Sequence, residues 1–267
     1  MNPLFERPEL GAHFVQLYES DTAALVNNVG SYFCGTLRAG GAAVIVAGDP
    51  NRSTFVTELR RRGCDVDLAL TENRLVLLDA HETLNRISRD GQIDPERFEQ
   101  VVGATVRRAL ETAKGREVRA YGEMVGLLWK SSQFPAAIRL EQLWNQLQSE
   151  VRFSLFCSYA IDIFGRHFDG GVINAMLCAH SHLLPTVTDD HLEYALDRAL
   201  SESLDFDSAA LKALVTRNSP DGWGQLPKAE ATILWLRRNH PRNADKILER
   251  AKSHYQSALR RTALEIA

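Results

Sequence analysis

The loop Gly48-Asp49-Pro50-Asn51-Arg52-Ser53-Thr54 lies where many nucleotide-binding proteins hold phosphate. It follows the apolar run Ala42 to Ala47 and leads into a helical stretch from Ser53, so it joins a strand to a helix. A phosphate loop of the GxxxxGKS or GxxxxGKT type needs a second glycine for close backbone approach, a lysine for the β and γ phosphates and a hydroxyl for magnesium. Here the hydroxyls of Ser53 and Thr54 and the cation Arg52 are present, but the lysine and the second glycine are not. Pro50 also removes one backbone N–H that would cradle phosphate. The loop therefore suits ligand contact through Ser53, Thr54 and Arg52 rather than triphosphate hydrolysis. The plain alternative is a strand-helix turn capped by Ser53.

Other residues could do chemistry at neighbouring strand ends. Asp79 closes the apolar stretch RLVLLDA, with His81 and Glu82 just beyond, at the place of a magnesium-holding aspartate; a helix N-cap is the competing role. Glu123 follows an apolar strand and a glycine, where a carboxylate can accept hydrogen bonds or a proton, and Trp129 lies about two turns further on if the segment is helical. Buried Glu and core Trp are the bland roles for that pair. In PAAIRLEQLWNQLQSE, Leu140, Leu143, Trp144 and Leu147 make an apolar stripe, with Glu141 and Asn145 one turn apart at its edge and in need of polar partners. Cys157 and Tyr159 share one face of the strand RFSLFCSYAI. In CAHSHLLP, helical spacing puts Cys178 and His182 on one face and His180 off it, so a structural role is expected there and no metal. No Ser-His-Asp order, glycosidase pair or GxSxG elbow appears, so neither an enzyme nor a cofactor is expected.

The elements that position these residues alternate. A helix over 21–38, capped by Asp21, precedes the strand Ala42 to Ala47, and the helix from Ser53 to Arg62 leads to a minor strand at Val66 to Ala69. RLVLLDA, REVRAYGEM and RFSLFCSYAI are further strands, separated by HETLNRI, by a helix from Asp94-Pro95 to Gly115 and by a helix opened by Pro135. Such alternation predicts an α/β fold, a mostly parallel sheet with helices on both faces. From about 168 the pattern is helical only: 172–182, 190–203, 208–217, 228–239 and 243–264. The reading is an α/β domain over 1–167 followed by an α-helical region over 168–267. The last helix carries Ala244, Leu248, Ala251, Tyr255, Ala258 and Thr262 as a weak heptad, suited to packing within a C-terminal bundle or against a second chain.

With 267 residues, 45% of them hydrophobic, the chain can bury a sizeable core. A net charge of -3 argues against direct nucleic-acid binding. No signal peptide is evident and no apolar run approaches ~18 residues, so a cytoplasmic protein without membrane contact is expected. Cys34, Cys64, Cys157 and Cys178 are far apart without a CxxC pair, which speaks against a disulfide framework.

The segments HFVQLYES, LRAGGAAVIVA, LVLLDAHETL, DPERFEQVV, VRAYGEMVGLLW, AAIRLEQLWNQL and FSLFCSYAIDIF, in this order over about 11–165, resemble the MEDS domain, the methanogen/methylotroph DcmR-type sensory domain. The resemblance implies a RecA-like fold with a degenerate nucleotide loop, similar to the circadian-clock ATPases, acting as a ligand sensor beside histidine kinases or DNA-binding domains. It adds His13 and Tyr18, from HFVQLYES, to a pocket of aromatic walls with Glu123, Trp129, Glu141, Trp144, Asn145 and Tyr159. Such a pocket suits a small, mainly apolar or hydrocarbon-derived molecule. The chain shows no kinase box, no glycine-rich ATP lid and no helix-turn-helix before the sensory region. The expected partners are thus a small-molecule ligand, a histidine kinase or transcription regulator, and a twin chain. Two rival readings stand beside the sensor: a residual nucleotide-binding or phosphotransfer protein using Ser53, Thr54, Asp79 and Glu123, and a ligand-free interaction scaffold.

Overall fold

An apolar run that is buried on both sides must lie inside a sheet, and Ala42–Ala47 does so with every residue buried. The computed structural model describes residues 11–18, 22–165, 168, 179–184, 189–204 and 228–266. In chain order the first unit contains β1 (His13–Tyr18), α1 (Ala23–Arg38), β2 (Ala42–Ala47), α2 (Asn51–Arg61), α3 (Val66–Thr71), β3 (Leu75–Asp79), α4 (Ala80–Ile87), the short hairpin β4 (Ser88–Arg89) and β5 (Gln92–Ile93), α5 (Pro95–Phe98) running through a π-helical turn (Glu99–Gly103) into α6 (Ala104–Ala113), β6 (Val118–Gly122), α7 (Met124–Lys130), α8 (Phe134–Glu150), β7 (Ser154–Ala160) and β8 (His182–Leu184).

The main sheet has six strands in the order β3-β2-β6-β7-β1-β8, all pairs parallel. The chain therefore reverses its direction of travel across the sheet between β3 and β6, and ligands of open α/β sheets bind outside the carboxyl ends at such a reversal. Alternation along the strands assigns the two faces. Phe14, Ala43, Ile45, Tyr121 and Phe156 pack with Tyr32 and Phe33 of α1 and Phe55 of α2 in one core cluster. The opposite face presents His13, Cys157 and Tyr159 toward α8, whose Trp144 is fully buried. This is the α/β architecture with helices on both faces and a RecA-like sheet.

Local signals explain several element ends. Asp79 caps α4 by accepting from Glu82 N at 2.9 Å, and Asp94 caps α5 by accepting from Glu96 N and Arg97 N, with Pro95 in the first turn. The helix that Gly115 was expected to stop ends on Lys114 and Gly115, both at positive φ. For α1, Thr22 stands at the N-cap position, and the expected cap Asp21 lies outside the described residues.

Three expectations are corrected. Val66 to Ala69 is not a strand: Asp65 accepts from Leu68 N at 3.0 Å and nucleates α3, which the apolar run alone could not distinguish from a strand. His13–Tyr18 of HFVQLYES form the strand β1, which the sequence reading did not assign to any element. The helix expected over 172–182 does not reach His182, which begins β8 beside Phe14–Gln16 of β1; residues 172–178 of that helix lie outside the described residues.

The compact units divide accordingly. Met1–Ala160 with Ala179–Leu184 form one, and Ile161–Cys178 with Pro185–Ala267 the other. The second contains α9 (Asp189–Leu204), α10 (Lys228–Asn239) and α11 (Pro241–Ile266). Ala244, Leu248, Ala251, Tyr255 and Ala258 of the weak heptad are buried within this unit, along with Leu192, Leu196 and Leu200 of α9 and Ile233 and Leu236 of α10. The helix expected over 208–217 lies outside the described residues. Among the described residues no helix is long and apolar enough to cross a membrane.

Candidate functional site

Tyr18 ends β1, Gly48 follows β2, His81 lies two residues past β3, Glu123 follows β6 and Ala160 ends β7, so parallel pairing brings five carboxyl ends to one rim. There they line a cavity of about 210 Å³ with Asp49, Pro50, Asn51, Gly126, Leu127 and Lys130. The Glu123 carboxylate is part of this lining. Oε2 accepts from the Gly48 amide at 2.8 Å, and Oε1 accepts from Asn51 Nδ2 at 2.6 Å and from the Tyr18 hydroxyl at 3.1 Å. The register fixes this: Val46 pairs with Gly122, and Glu123 N donates to Val46 O at 3.0 Å, which sets the carboxylate opposite the loop. Burial, then the negative charge of Glu123, pushes the Tyr18 phenol well above its ordinary range, so Tyr18 stays a hydrogen-bond donor.

The loop residues singled out for their hydroxyls behave otherwise. Ser53 and Thr54 are exposed on α2, and both hydroxyls donate back to Pro50 O at 2.9 Å, so their donors are used within the helix and neither caps it. Neither lines the cavity. Arg52 pairs with Asp49 at 2.6 Å and with Asp79 at 3.3 Å, so the strand-end aspartate serves as helix cap and arginine partner. Trp129 is likewise not on the rim. It is buried beneath, edge-on to Phe134 and Tyr159 at ring distances of 5.2 and 5.6 Å, while Leu127 and Lys130 of the same helix face the cavity. Six residues past Glu123 is not a whole number of helical turns, and the two side chains diverge. Trp144 is core: it stacks edge-on with Phe98 at 5.4 Å and lies against Gly122, where a Cβ would sit 3.6 Å from its ring.

The remaining candidates form a second cluster on the α8 face of the sheet. His13, Glu141, Cys157 and His180 are all buried, with one donor atom from each lying within 4.8 Å of the others. His13 Nε2 is 3.3 Å from Cys157 Sγ and 3.6 Å from Glu141 Oε2, and His180 Nε2 is 3.3 Å from Glu141 Oε1. Asn145 orients the first imidazole. Its Nδ2 donates to Ala179 O at 3.1 Å, which leaves Oδ1 to accept from His13 Nδ1 at 3.0 Å. The Tyr159 hydroxyl donates to Glu141 Oε1. Ser181 completes the frame: its amide donates to His13 O at 2.9 Å, and its hydroxyl accepts from His13 N at 2.8 Å.

Electrostatics in this cluster is dictated by burial and by the neighbours. Burial, then repulsion from His180, holds the His13 imidazole down at about 4, so it is neutral around pH 7. For Glu141 burial opposes ionisation, but the facing His180 and His13 rings and the Tyr159 hydroxyl outweigh it and hold the carboxyl at about 2. Burial, then the Glu141 charge, raises the Cys157 thiol well above its usual value. His182, one of the three CAHSHLLP candidates, stands apart from the cluster, its ring 5.1 Å from that of Phe14; Cys178 lies outside the described residues.

The eleven sequence candidates thus separate into rim residues (Tyr18, Glu123), cluster residues (His13, Glu141, Asn145, Tyr159), buried aromatics (Trp129, Trp144) and turn residues (Ser53, Thr54, Asp79). Asn51 and Lys130 were missed. Asn51 carried a usable signal, since an amide in the first turn after a strand points back over the sheet end. His180 and Cys157 were noticed separately, with nothing in the sequence to join them.

The family model described as MEDS, MEthanogen/methylotroph, DcmR Sensory domain, matches residues 12–181, from the residue before His13 to the residue after His180. Among curated proteins no relative matches. A match over well more than half of the chain decides the family: this protein belongs to the MEDS sensory-domain family.

Proposed function

We propose that the α/β unit senses a small molecule in the strand-end cavity and passes its occupancy to a protein partner, a histidine kinase or a transcription regulator, in the cytoplasm. The observation that carries this reading is the Glu123 carboxylate, held by Tyr18, Gly48 and Asn51 in the lining of a cavity. A volume near 210 Å³ lies below the ~300–1,000 Å³ of drug-sized sites, so the ligand has few heavy atoms. Pro50, Leu127 and Ala160 offer it apolar contact, and Glu123, Asn51, His81 and Lys130 offer polar contact. That combination suits a short hydrocarbon derivative with one polar group better than a bare hydrocarbon. Membership of a sensory family, together with a loop whose anion seat is already filled by Glu123, supports sensing over catalysis.

Ligand entry would compete for or add to the hydrogen bonds of Glu123 and so bias the loop and α7 between two arrangements. The bias is bounded by the difference in affinity for the two, commonly ~1–3 kcal/mol. The test is a screen of short alcohols, ketones and amines against the full chain, read by tryptophan fluorescence. A saturable response is expected for a subset, lost in Glu123→Gln and weakened in Lys130→Ala while both variants keep a cooperative melt. A response that survives both substitutions, or none across the panel, would count against the rim pocket.

A further inference from the structure

We infer that His13, Glu141, Cys157 and His180 form a closed binding site for a divalent transition metal, with zinc the best match. The site lies on the α8 face of the sheet, apart from the strand-end cavity, and the inference does not depend on what that cavity binds.

Geometry is the first argument. Tetrahedral zinc with Zn–N and Zn–O near 2.0–2.1 Å and Zn–S near 2.3 Å places its ligand atoms about 3.3–3.6 Å from one another. In this cluster His13 Nε2 lies 3.3 Å from Cys157 Sγ and 3.6 Å from Glu141 Oε2, His180 Nε2 lies 3.3 Å from Glu141 Oε1, and one donor atom from each of the four residues lies within 4.8 Å of the others. The donors already surround a point at which a tetrahedral ion would sit with little rearrangement.

Proton accounting is the second. Asn145 Oδ1 can only accept, so the His13 proton is on Nδ1 and Nε2 turns a lone pair toward the cluster. Glu141 Oε2, 3.6 Å away, is buried and receives no hydrogen bond. Two lone pairs thus face each other in a dry interior, and the Cys157 thiol has one proton with which to serve either of them. An unserved buried carboxylate oxygen is costly, and a cation between the two atoms removes the conflict. On binding, the Cys157 S–H bond breaks, a sulfur-metal bond forms and the proton leaves to solvent; the neutral His180 ring, 3.3 Å from Glu141, takes the tautomer with its proton on Nδ1, and His13, His180 and Glu141 each donate a lone pair. Carboxylate and thiolate together balance the two positive charges, so the buried complex is neutral.

Ligand chemistry selects the ion. Two imidazoles, one thiolate and one carboxylate favour a borderline metal over magnesium or calcium, which take oxygen ligands. Four protein ligands with none left open describe a structural site, and the Asn145–His13 and Tyr159–Glu141 hydrogen bonds are the outer contacts that such sites use to fix ligand orientation. The ion would tie β1, β7, α8 and the segment leading into β8 together.

The experiment uses the full chain, produced with zinc in the medium and purified without chelator. About one zinc per chain by elemental analysis is expected, with a melting temperature that falls on chelation and recovers with zinc. Replacement by Co²⁺ should give the strong visible bands of tetrahedral coordination and a thiolate-to-cobalt charge-transfer band. That band should vanish in Cys157→Ser and persist in Cys64→Ser. Should Cys157→Ser fail to fold, Asn145→Ala, which leaves all four ligands in place, should still weaken zinc binding about 10- to 100-fold in a chelator competition. Metal-free protein whose melting responds neither to zinc nor to chelator would overturn the inference, as would a cobalt-thiolate band that survives in Cys157→Ser.

Discussion

The Glu123 carboxylate accepts a hydrogen bond from the Gly48 amide at 2.8 Å, and so fills from within the place where a phosphate loop would present its backbone to a nucleotide. The loop kept its position between strand and helix but acquired a resident anion. A phosphate brought to the same amide would meet a carboxylate already hydrogen-bonded there, in a loop without the lysine of a phosphate loop.

The first expectation follows from that arrangement. Magnesium-ATP should produce no saturable thermal shift and no turnover above that of a Gly48→Ala, Ser53→Ala double variant. Turnover present in the parent chain and lost in the variant would mean that the loop still works on nucleotides.

Glu123 also has a structural share that can be separated from binding. It accepts three hydrogen bonds, and bonds to a charged group contribute roughly 1.5–3 kcal/mol each, though they are not additive. Glu123→Ala leaves the Gly48 N–H without its partner and should destabilise the fold by about 2–3 kcal/mol. Glu123→Gln retains one acceptor oxygen and should cost less. Urea unfolding of the two variants decides this: equal losses would mean that a neutral acceptor preserves nothing and that the charge carries the whole contribution.

Much of the sheet was legible because Ala42–Ala47, Val118–Gly122 and Ser154–Ala160 lie inside it, almost wholly buried, and read as largely apolar runs, while the edge strand Leu75–Asp79 is only partly buried but apolar up to its last residue. The strands β1 and β8 were not. The polar residues His13 and Gln16 are buried in β1, and β8 has only three residues, too few for a period to show. Glu123 could be found because a carboxylate after a strand and a glycine has few other reasons to be there. The cluster of His13, Glu141, Cys157 and His180 could not, since only the order β7-β1-β8 in space joins positions so distant along the chain. CAHSHLLP misled by spacing: it was read as helix, whereas His182 starts a strand and, among the described residues of the segment, His180 alone joins the cluster.

A further expectation concerns acid stability. Glu58 of α2 accepts from Arg61 at 2.6 and 2.8 Å and from Arg62 at 2.6 Å, and Arg62 reaches across to Ser31 and Asn27 of α1. The Arg61 hydrogen bonds, joined by Arg62 and opposed by burial, hold the Glu58 carboxyl at about 2, below its ordinary 4.5. A carboxyl depressed in the folded state binds its proton more readily when unfolded, so its contribution is fully present above 4.5 and is lost as pH falls toward 2. Glu58→Gln should lower the urea midpoint at neutral pH and flatten its decline over that acid range. A variant with the same decline as the parent would assign acid sensitivity to other groups.

The last expectation concerns α7, which carries Leu127 and Lys130 to the cavity and Trp129 to Tyr159, whose hydroxyl serves Glu141. The helix lies so close to β7 that a Cβ on Gly126 would be 2.5 Å from Ser158 O and 3.3 Å from Tyr159 Cα, both backbone atoms that cannot turn aside. Gly126→Ala must therefore lift α7 from the strand, at a cost of about 1–3 kcal/mol, and should shift the emission of Trp129 along with the melting temperature. Gly35, exposed in α1 with nothing within 4 Å of a built Cβ, supplies the contrast: Gly35→Ala should stabilise by about 0.4–1 kcal/mol through the unfolded chain and leave the spectrum unchanged. If Gly126→Ala melted and fluoresced like the parent, α7 would not be held against β7 as described, and a signal entering at Glu123 would have no rigid route to Tyr159.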